Sequence, residues 1–338
     1  MLPVFNLIPA LLSLSVLITG VAGFLGSHLS EALLALNYSV TGIDNFDPFY
    51  PKEIKKRNLN LSLANPKFRF VEADITNITE FDKIDGNFDF VIHIAAKAGV
   101  LPSIKNPQDY VSVNIAGTMN VLEFMRIKGI KKYVFASSSS IYGNNREIPF
   151  QEDQKVDGPI SPYAFSKRSC ELMNYTYYSL YNISCLNLRL FTLYGPRQRP
   201  DLSIHKFTRL IESGKEIEMY GDGSTARDYT HVSDVVQGFL GAINYLCEHN
   251  NVFDILNIGN CNPIKLKDLI SGIYNALNVP ENILQLPQQP GDVEVTYSDI
   301  SKATKLLNYS PKVDFNTGLK EFVSWYRENK EFLNQTYS

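Results

Sequence analysis

Cysteine, excess charge and repetition are all scarce in this 338-residue chain. Its four cysteines, Cys170, Cys185, Cys247 and Cys261, stand far apart and form no C-x-x-C pair. That excludes a zinc ribbon and a disulfide scaffold, gives no reason to expect a metal, and fits a reducing compartment. No Lys or Arg precedes Lys52, so the apolar stretch from Met1 to Ala22 lacks the positive flank of a secretory or membrane segment. Pro3 and Pro9 would also interrupt a spanning helix. Residues 1–12 therefore read as an apolar N-terminal extension, and the protein as cytoplasmic with no membrane partner. Lys and Arg number 32 against 35 Asp and Glu, a net charge of −3 with no block of one sign. Such a balance argues against a nucleic-acid groove and against an electrostatic membrane footprint. Internal repeats and low-complexity linkers are absent.

What the chain has in quantity is alternation. Short β-branched runs at 15–19, 39–44, 69–74, 88–94, 132–137 and 184–191 are separated by helical stretches such as 27–36, 109–127 and 162–181. This rhythm marks βαβ units and a parallel sheet. It predicts an α/β fold with a Rossmann-type doubly wound parallel sheet, whose ligands sit beyond the strand C-termini. After Tyr194 the texture changes to loops rich in Gly and Pro, at Gly195-Pro196, Arg199-Pro200-Asp201, Gly221-Asp222-Gly223 and Gln289-Pro290-Gly291. A smaller C-terminal α/β substrate-binding lobe is expected over 191–338, set against a dinucleotide-binding domain over 13–190. An apolar strand at 254–258 implies a returning segment near 230–260. At roughly 150 residues per domain the length suits this division, and the core needs no disulfide or metal staple.

Thr19 leads into Gly20-x-x-Gly23-x-x-Gly26, placed after a strand and opening a helix. Glycine at these positions permits the tight turn, the approach of backbone to a pyrophosphate, and close packing of helix on sheet. The helix start, with Phe24 and Leu25 in its first turn, offers free N–H groups and a positive dipole end. Asp44 ends the second strand, followed by Asn45. A carboxylate there accepts from both ribose hydroxyls of adenosine and repels a 2′-phosphate, so NAD is expected over NADP. Asp74-Ile75 reads equally as an adenine cover or as a plain strand-terminal turn. His93-x-Ala95-Ala96 ends the fourth strand in small residues where a backbone meets a ligand, Lys97 after it reads equally as solvated or cofactor-facing, and His93 itself reads as a packed core histidine.

Ser137-Ser138-Ser139-Ser140-Ile141-Tyr142-Gly143 follows the fifth strand, and Tyr163-x-x-x-Lys167 opens the next helix. Tyr and Lys four residues apart share one helix face. A free tyrosine titrates near 10; a lysine ammonium and a nicotinamide cation beside it favour the phenolate and bring a working base within reach. With these motifs the chain resembles the extended short-chain dehydrogenases/reductases, nucleotide-sugar branch, from about Leu14 onward. Within that branch it is most similar to the UDP-glucuronate 4-epimerases. The similarity runs through Asp44-Asn45-Phe46-Asp47-Pro48-Phe49-Tyr50-Pro51, Thr192-Leu193-Tyr194-Gly195-Pro196-Arg197-Gln198-Arg199-Pro200-Asp201 and Gln289-Pro290-Gly291-Asp292.

The resemblance implies that Asn114 joins the glycines, Asp44 and the other residues named above in holding NAD. It implies Tyr163 as the base, Ser138 sharing a hydrogen bond with the sugar O4, and Lys167 tuning the tyrosine and binding the nicotinamide ribose. Ser139, Ser140, Thr192 and Arg199 would hold a C6 carboxylate. Tyr220, Arg227 and Asp292 would hold the nucleotide, Arg227 at the diphosphate, where a guanidinium meets two oxygens at once. Dehydratases and decarboxylases that resemble this chain carry titrating acids where Ser139 and Ser140 stand, so 4-epimerisation of a UDP-sugar through a transient 4-keto stage is implied. One departure is Leu101, which stands where that subgroup carries Arg. The alternatives are UDP-glucose/UDP-galactose 4-epimerisation and, in a different class, a non-catalytic NAD-binding sensor. A homodimer through 109–127 and 162–181 is the implied assembly.

Overall fold

The computed structural model describes residues 14–287 and 295–337; the extension of residues 1–12 and the segment holding Asp292 lie outside the described residues. Twelve strands are present among them. The first six are β1 (Ser15–Thr19), β2 (Ser39–Asp44), β3 (Phe68–Glu72), β4 (Phe90–His93), β5 (Lys132–Ser138) and β6 (Ser184–Leu190). Then come β7 (Thr192–Tyr194), β8 (Ile217–Tyr220), β9 (Ala226–His231), β10 (Phe253–Ile258), β11 (Pro263–Lys265) and β12 (Ile283–Leu286). Seven of them form one sheet in the order β10-β6-β5-β4-β1-β2-β3, and all its pairings are parallel.

Alternation along the strands explains why this sheet is covered on both faces. In β1, Val16 and Ile18 join one buried cluster while Leu17 joins the other. The same division separates Phe90 and Ile92 from Val91, and Val134 and Ala136 from Tyr133 and Phe135. One layer is closed by the helices Phe24–Ala35 and Val232–Glu248, through Leu29, Leu33, Val235 and Phe239. The other is closed by Gly117–Lys128 and Pro162–Tyr181, through Val121, Met125, Cys170 and Tyr177. Each fully buried aliphatic side chain contributes about 1.5–3 kcal/mol relative to exposure.

The 162–181 helix has its expected bounds because both ends are punctuated. The Ser161 side chain accepts from the Ala164 N–H at 3.1 Å, Pro162 occupies the first turn, and Asn182 closes the helix in the left-handed conformation. The expected helix at 109–127 is instead three pieces, Pro107–Tyr110, a wide π-turn at Val111–Ala116, and Gly117–Lys128. Apolar periodicity does not register such a turn, since it shifts the helix phase without removing the helix. Strands expected at 69–74 and 88–94 run over Phe68–Glu72 and Phe90–His93; at their C-terminal ends Ala73, Asp74 and Ile94 leave the sheet and line the cavity described below.

Beyond residue 191 the smaller sheets β11-β9-β7 and β12-β8 surround a third buried cluster that includes Ile204, Tyr229, Leu269, Ile273 and Phe322. The chain leaves these elements for the segment that places β10 at the edge of the seven-stranded sheet, and again near 303–309, where Ala303, Leu307 and Tyr309 join the first buried cluster. No helix of the described residues is long and apolar enough to cross a membrane.

Candidate active site

Strand order reverses at β1, which pairs with β2 on one side and β4 on the other. Crevices for ligands form at such switch points, and a cavity of about 410 Å³ opens there. Gly20, at φ +74°, touches the loop after β4: a Cβ on it would lie 2.7 Å from the Ala95 nitrogen. A Cβ on Gly26 would lie 2.2 Å from the Gly20 oxygen, so helix and turn pack as only glycine allows. No side chain caps the helix start, and Gly23, Phe24, Leu25 and Gly26 line the cavity. The first-turn N–H groups therefore face it, a cradle suited to a pyrophosphate.

Asp44 lines the same end and accepts from the Phe46 N–H at 2.8 Å and the Ala22 N–H at 3.1 Å. Burial pushes its carboxyl up, opposed by the Lys55 ammonium and those two N–H groups. Each carboxylate oxygen keeps a further lone pair for a ribose hydroxyl. Asn45 donates to Asp74 at 2.8 Å, and both line the cavity with Ile75, Ala95, Ala96 and Lys97. Although burial raises it, hydrogen bonds from Thr76 and Asn45 hold the Asp74 carboxyl below its ordinary value.

Asn114 lies behind the wall rather than on it. The π-turn aims its amide at both backbone groups of Lys97, at 2.8 and 3.0 Å, and at the Ser166 hydroxyl, at 2.9 Å. It braces the loop after β4 against the helix that carries Tyr163 and Lys167. His93 is a core residue: its nitrogens meet the Thr19 and Thr118 hydroxyls at 2.5 and 2.9 Å, and burial lowers its pKa to about 3.

Ser138, Tyr163 and Lys167 line the same cavity. Burial pushes the Tyr163 phenol up, while Ser138 and the Arg199 guanidinium oppose it. The Lys167 ammonium donates to the Ala136 carbonyl at 2.7 Å, and burial lowers its pKa to about 8. Tyr110 meets Tyr163 edge-on, with ring centroids 6.1 Å apart. Ser138 also accepts from the Ser140 N–H at 3.2 Å and the Ser140 hydroxyl at 3.0 Å, closing the turn Ser139–Tyr142. Ser139 and Ser140 are consequently not on the cavity lining, whereas Thr192 and Arg199 are.

Arg199 carries a partner that the sequence reading did not assign. Its Nε and Nη2 form a two-pronged pair with Asp201 at 2.9 and 2.6 Å, and its guanidinium lies 4.9 Å from the Phe49 ring centroid. Lys97 pairs with Asp47 at 2.9 Å. Tyr220 lines a separate surface cavity with Lys206 and Glu218, and Arg227 lies outside the main cavity with Nη1 donating to the Ala226 carbonyl at 3.0 Å. Leu101 is exposed and does not line the cavity. Among the described residues, no group of three or more His, Cys, Asp or Glu is placed to hold a metal ion.

Two buried carboxylates, those of Glu171 and Asp228, lie outside the cavity lining and have no assignment from the sequence. Glu171 accepts from the Ser137 hydroxyl at 2.7 Å and is gripped by Arg189 through two bonds of 3.0 Å each. Asp228 accepts from the Asn260, Cys261 and Ser298 N–H groups and from the Ser298 hydroxyl. The signal for the first was an arginine amid the apolar run Ser184–Leu190, which folding must match with an anion.

Residues 17–322 match the family model described as GDP-mannose 4,6 dehydratase. An uncharacterized protein of Methanocaldococcus jannaschii is 44% identical over 324 residues, covering 94% of this chain and 98% of its own length. A UDP-glucuronate 4-epimerase of Thermodesulfobacterium geofontis is 41% identical over 320 residues, covering 94% of this chain and 97% of its own. Among solved structures, the UDP-glucuronic acid 4-epimerase of Bacillus cereus, in complex with UDP-glucuronic acid and NAD, superposes with a TM-score of 0.86. It is 34% identical, over 93% of this chain and 99% of that one. A Rossmann-type sheet with a glycine turn at its switch point, together with a family match along nearly its whole length, makes this chain a member of the GDP-mannose 4,6 dehydratase family of extended short-chain dehydrogenases/reductases.

Proposed function

We propose that the protein is an NAD-dependent UDP-sugar 4-epimerase that interconverts UDP-glucuronate and UDP-galacturonate. The observation that carries this reading is that the glycine turn, Asp44, Ser138, Tyr163, Thr192 and Arg199 line one cavity. The fit of NAD rests on the chain itself: the turn where a Cβ would collide, the uncapped helix start, and a carboxylate with lone pairs to spare at the end of β2. When bound, NAD supplies reversible hydride acceptance at the sugar C4.

Tyr163 takes the O4 proton as C4 is oxidised and returns it after the sugar has turned over. Ser138 shares the hydrogen bond at O4 and fixes the phenol's direction. Lys167, held on the Ala136 carbonyl, keeps a proton donor beside the nicotinamide ribose. At the 4-keto stage the C5 carboxylate is that of a β-keto acid and tends to leave as CO₂. Thr192 and Arg199 restrain it, and the small Ser139 and Ser140 put no titrating acid in the turn to drive elimination. Nε and Nη2 of Arg199 are engaged by Asp201, so Nη1 is the nitrogen left for the uronate.

In this reading the residues up to about 190 serve the dinucleotide, and Tyr220, Arg227 and Asp292 the nucleotide of the sugar, in a reducing cytoplasm. Exposed apolar stripes, with Phe165, Leu172 and Tyr175 on one helix and Met119 and Ile127 on its neighbour, support a homodimer through these two helices. Light scattering should give a dimer mass that Leu172→Glu halves. Incubating the purified protein with UDP-glucuronate and UDP-glucose separately, and reading products by NMR, tests the substrate. Galacturonate formed from glucuronate is expected; conversion of UDP-glucose alone would replace the assignment with the neutral-sugar one.

A further inference from the structure

The loop between β7 and the helix Ser203–Glu212 carries two arginines that point to different parts of the molecule. Arg199 lines the cavity. Arg197, two residues earlier, turns toward the helix Phe24–Ala35, whose start forms the glycine cradle. Its Nη1 and Nη2 make a two-pronged pair with Glu31 at 2.6 and 2.8 Å. Nη2 also donates to His28 Nδ1 at 3.1 Å, and Nη1 to the Asn58 carbonyl at 3.3 Å. His28 completes the grip from its other nitrogen, donating through Nε2 to the Pro196 carbonyl at 2.9 Å. The Asn58 amide in turn donates to the Ala22 carbonyl inside the glycine turn, at 3.0 Å.

This arrangement holds Arg197 at φ +66°, a backbone conformation that side-chain-bearing residues rarely adopt. A strained residue persists where its surroundings over-determine it. The next residue is fixed as well: the Gln198 carbonyl accepts from His205 at 2.6 Å, and its side chain donates to the Leu193 carbonyl at 3.0 Å. Arg199 then emerges at a set place over Phe49, beside the Ala98 carbonyl. The loop thus has one arginine for anchorage and one facing the ligand space.

We propose that Arg197, gripped by Glu31 and His28 of the dinucleotide-facing helix, is a positioning residue that fixes where Arg199 meets the sugar. The inference rests on the reading of Arg199 as a sugar-facing group. Its own content is the link between the two arginines. Because the grip is made to the cradle helix, Arg199 is referenced to the frame that holds the dinucleotide, and sugar and cofactor keep one geometry. Misplacement of such a group by about 1 Å can cost up to about a hundredfold in rate.

The test is a double-mutant cycle of Arg197→Ala and Arg199→Ala on the NAD-loaded protein. Both kcat/KM and the calorimetric Kd for UDP-glucuronate are read, with NAD content and melting temperature as controls. Arg197→Ala is expected to weaken both readouts about tenfold with NAD content unchanged, and to add nothing once Arg199 is gone. Glu31→Gln, which keeps the side-chain shape, serves as the second variant if Arg197→Ala folds poorly, and should act in the same direction. Effects that add fully in the double variant, or wild-type affinity in both Arg197→Ala and Glu31→Gln, overturn the link. A wild type that turns over UDP-glucose instead refutes the uronate reading, and the same cycle on UDP-glucose then decides the link.

Discussion

The two ends of the cavity are built from different materials. At the dinucleotide end the wall is backbone: a glycine at φ +74° against the Ala95 nitrogen, an uncapped helix start, and a strand-terminal Asp44 bound to two N–H groups. At the end assigned to the sugar the wall is made of side chains, Arg199 paired with Asp201 and lying over Phe49 from a distant segment. A backbone wall is set by sheet register and φ/ψ, so it tolerates little beyond the absence of a Cβ. A wall of charge pairs can be rewritten by exchanging one side chain. Under the proposed function, substrate choice is expected at the second end and cofactor choice at the first.

Tyr163 and Lys167 sit where the ends meet, and removing the base should separate chemistry from both. Tyr163→Phe is expected to lower turnover by a factor on the order of 10² or more while NAD content and UDP-sugar affinity persist. Near-normal turnover in a variant with full NAD content would refute the role. Lys167 gives the next largest effect, on stability. Its pKa falls from 10.5 to about 8 on folding. Between these values the unfolded chain holds more protons than the folded one, so stability rises with pH across that window and is lowest below about pH 8. The full span corresponds to ~3 kcal/mol. Lys167→Met should abolish that rise, read as denaturant midpoints from pH 7.5 to 10.5; parallel profiles for the two proteins would show that Lys167 does not titrate there.

The difference between the ends also explains what the sequence made legible. Ser15–Thr19, Ser39–Asp44 and Pro162–Tyr181 were found with their observed bounds, because each is signalled locally by period, turn residues or a cap. The glycine turn is local too, so the dinucleotide end could be read as it stands. Asn114 was picked out by motif, but its task as a clamp on Lys97 depends on a π-turn that no periodicity reveals. The partners of Arg199 and Lys97 are side-chain choices made after folding, even though Asp201 lies only two residues from Arg199. The Arg197–Glu31 pair spans most of the distance between the cradle and the sugar loop along the chain, and nothing near either residue announces the other.

Arg199→Ala breaks the side-chain end alone. A charge-assisted bond of about 1.5–3 kcal/mol is lost to the uronate, so kcat/KM for UDP-glucuronate should fall roughly tenfold to a hundredfold, with UDP-glucose little affected. The structure adds a second part to the expectation, since the substitution leaves the Asp201 carboxylate without its cation beside an anionic sugar. Adding Asp201→Asn to Arg199→Ala should restore part of the loss. Mass spectrometry of the single variant should also show a UDP-4-keto-pentose, from CO₂ lost by a loosened carboxylate. Equal losses on both sugars would mean that Arg199 does not read the acid.

The smallest effect is expected from the most conservative change at the backbone end, Asp44→Asn. The carboxylate serves Phe46 and Ala22 with one oxygen each, and a ribose hydroxyl would bind each remaining lone pair. Asparagine keeps one acceptor oxygen, and its amide cannot accept, so one N–H partner and one ribose bond are given up while the strand end stays the same size. A single bond to a charged acceptor is worth about 1.5 kcal/mol at the low end, which predicts NAD affinity weaker by about tenfold. Affinity for NADP should move the other way relative to NAD, because the charge that repels a 2′-phosphate is gone. Calorimetric titration of the two dinucleotides into cofactor-stripped protein measures both changes. If the NAD to NADP ratio is the same in wild type and Asp44→Asn, the ribose is held by the backbone wall alone, and the contrast between the two ends is sharper than the carboxylate suggests.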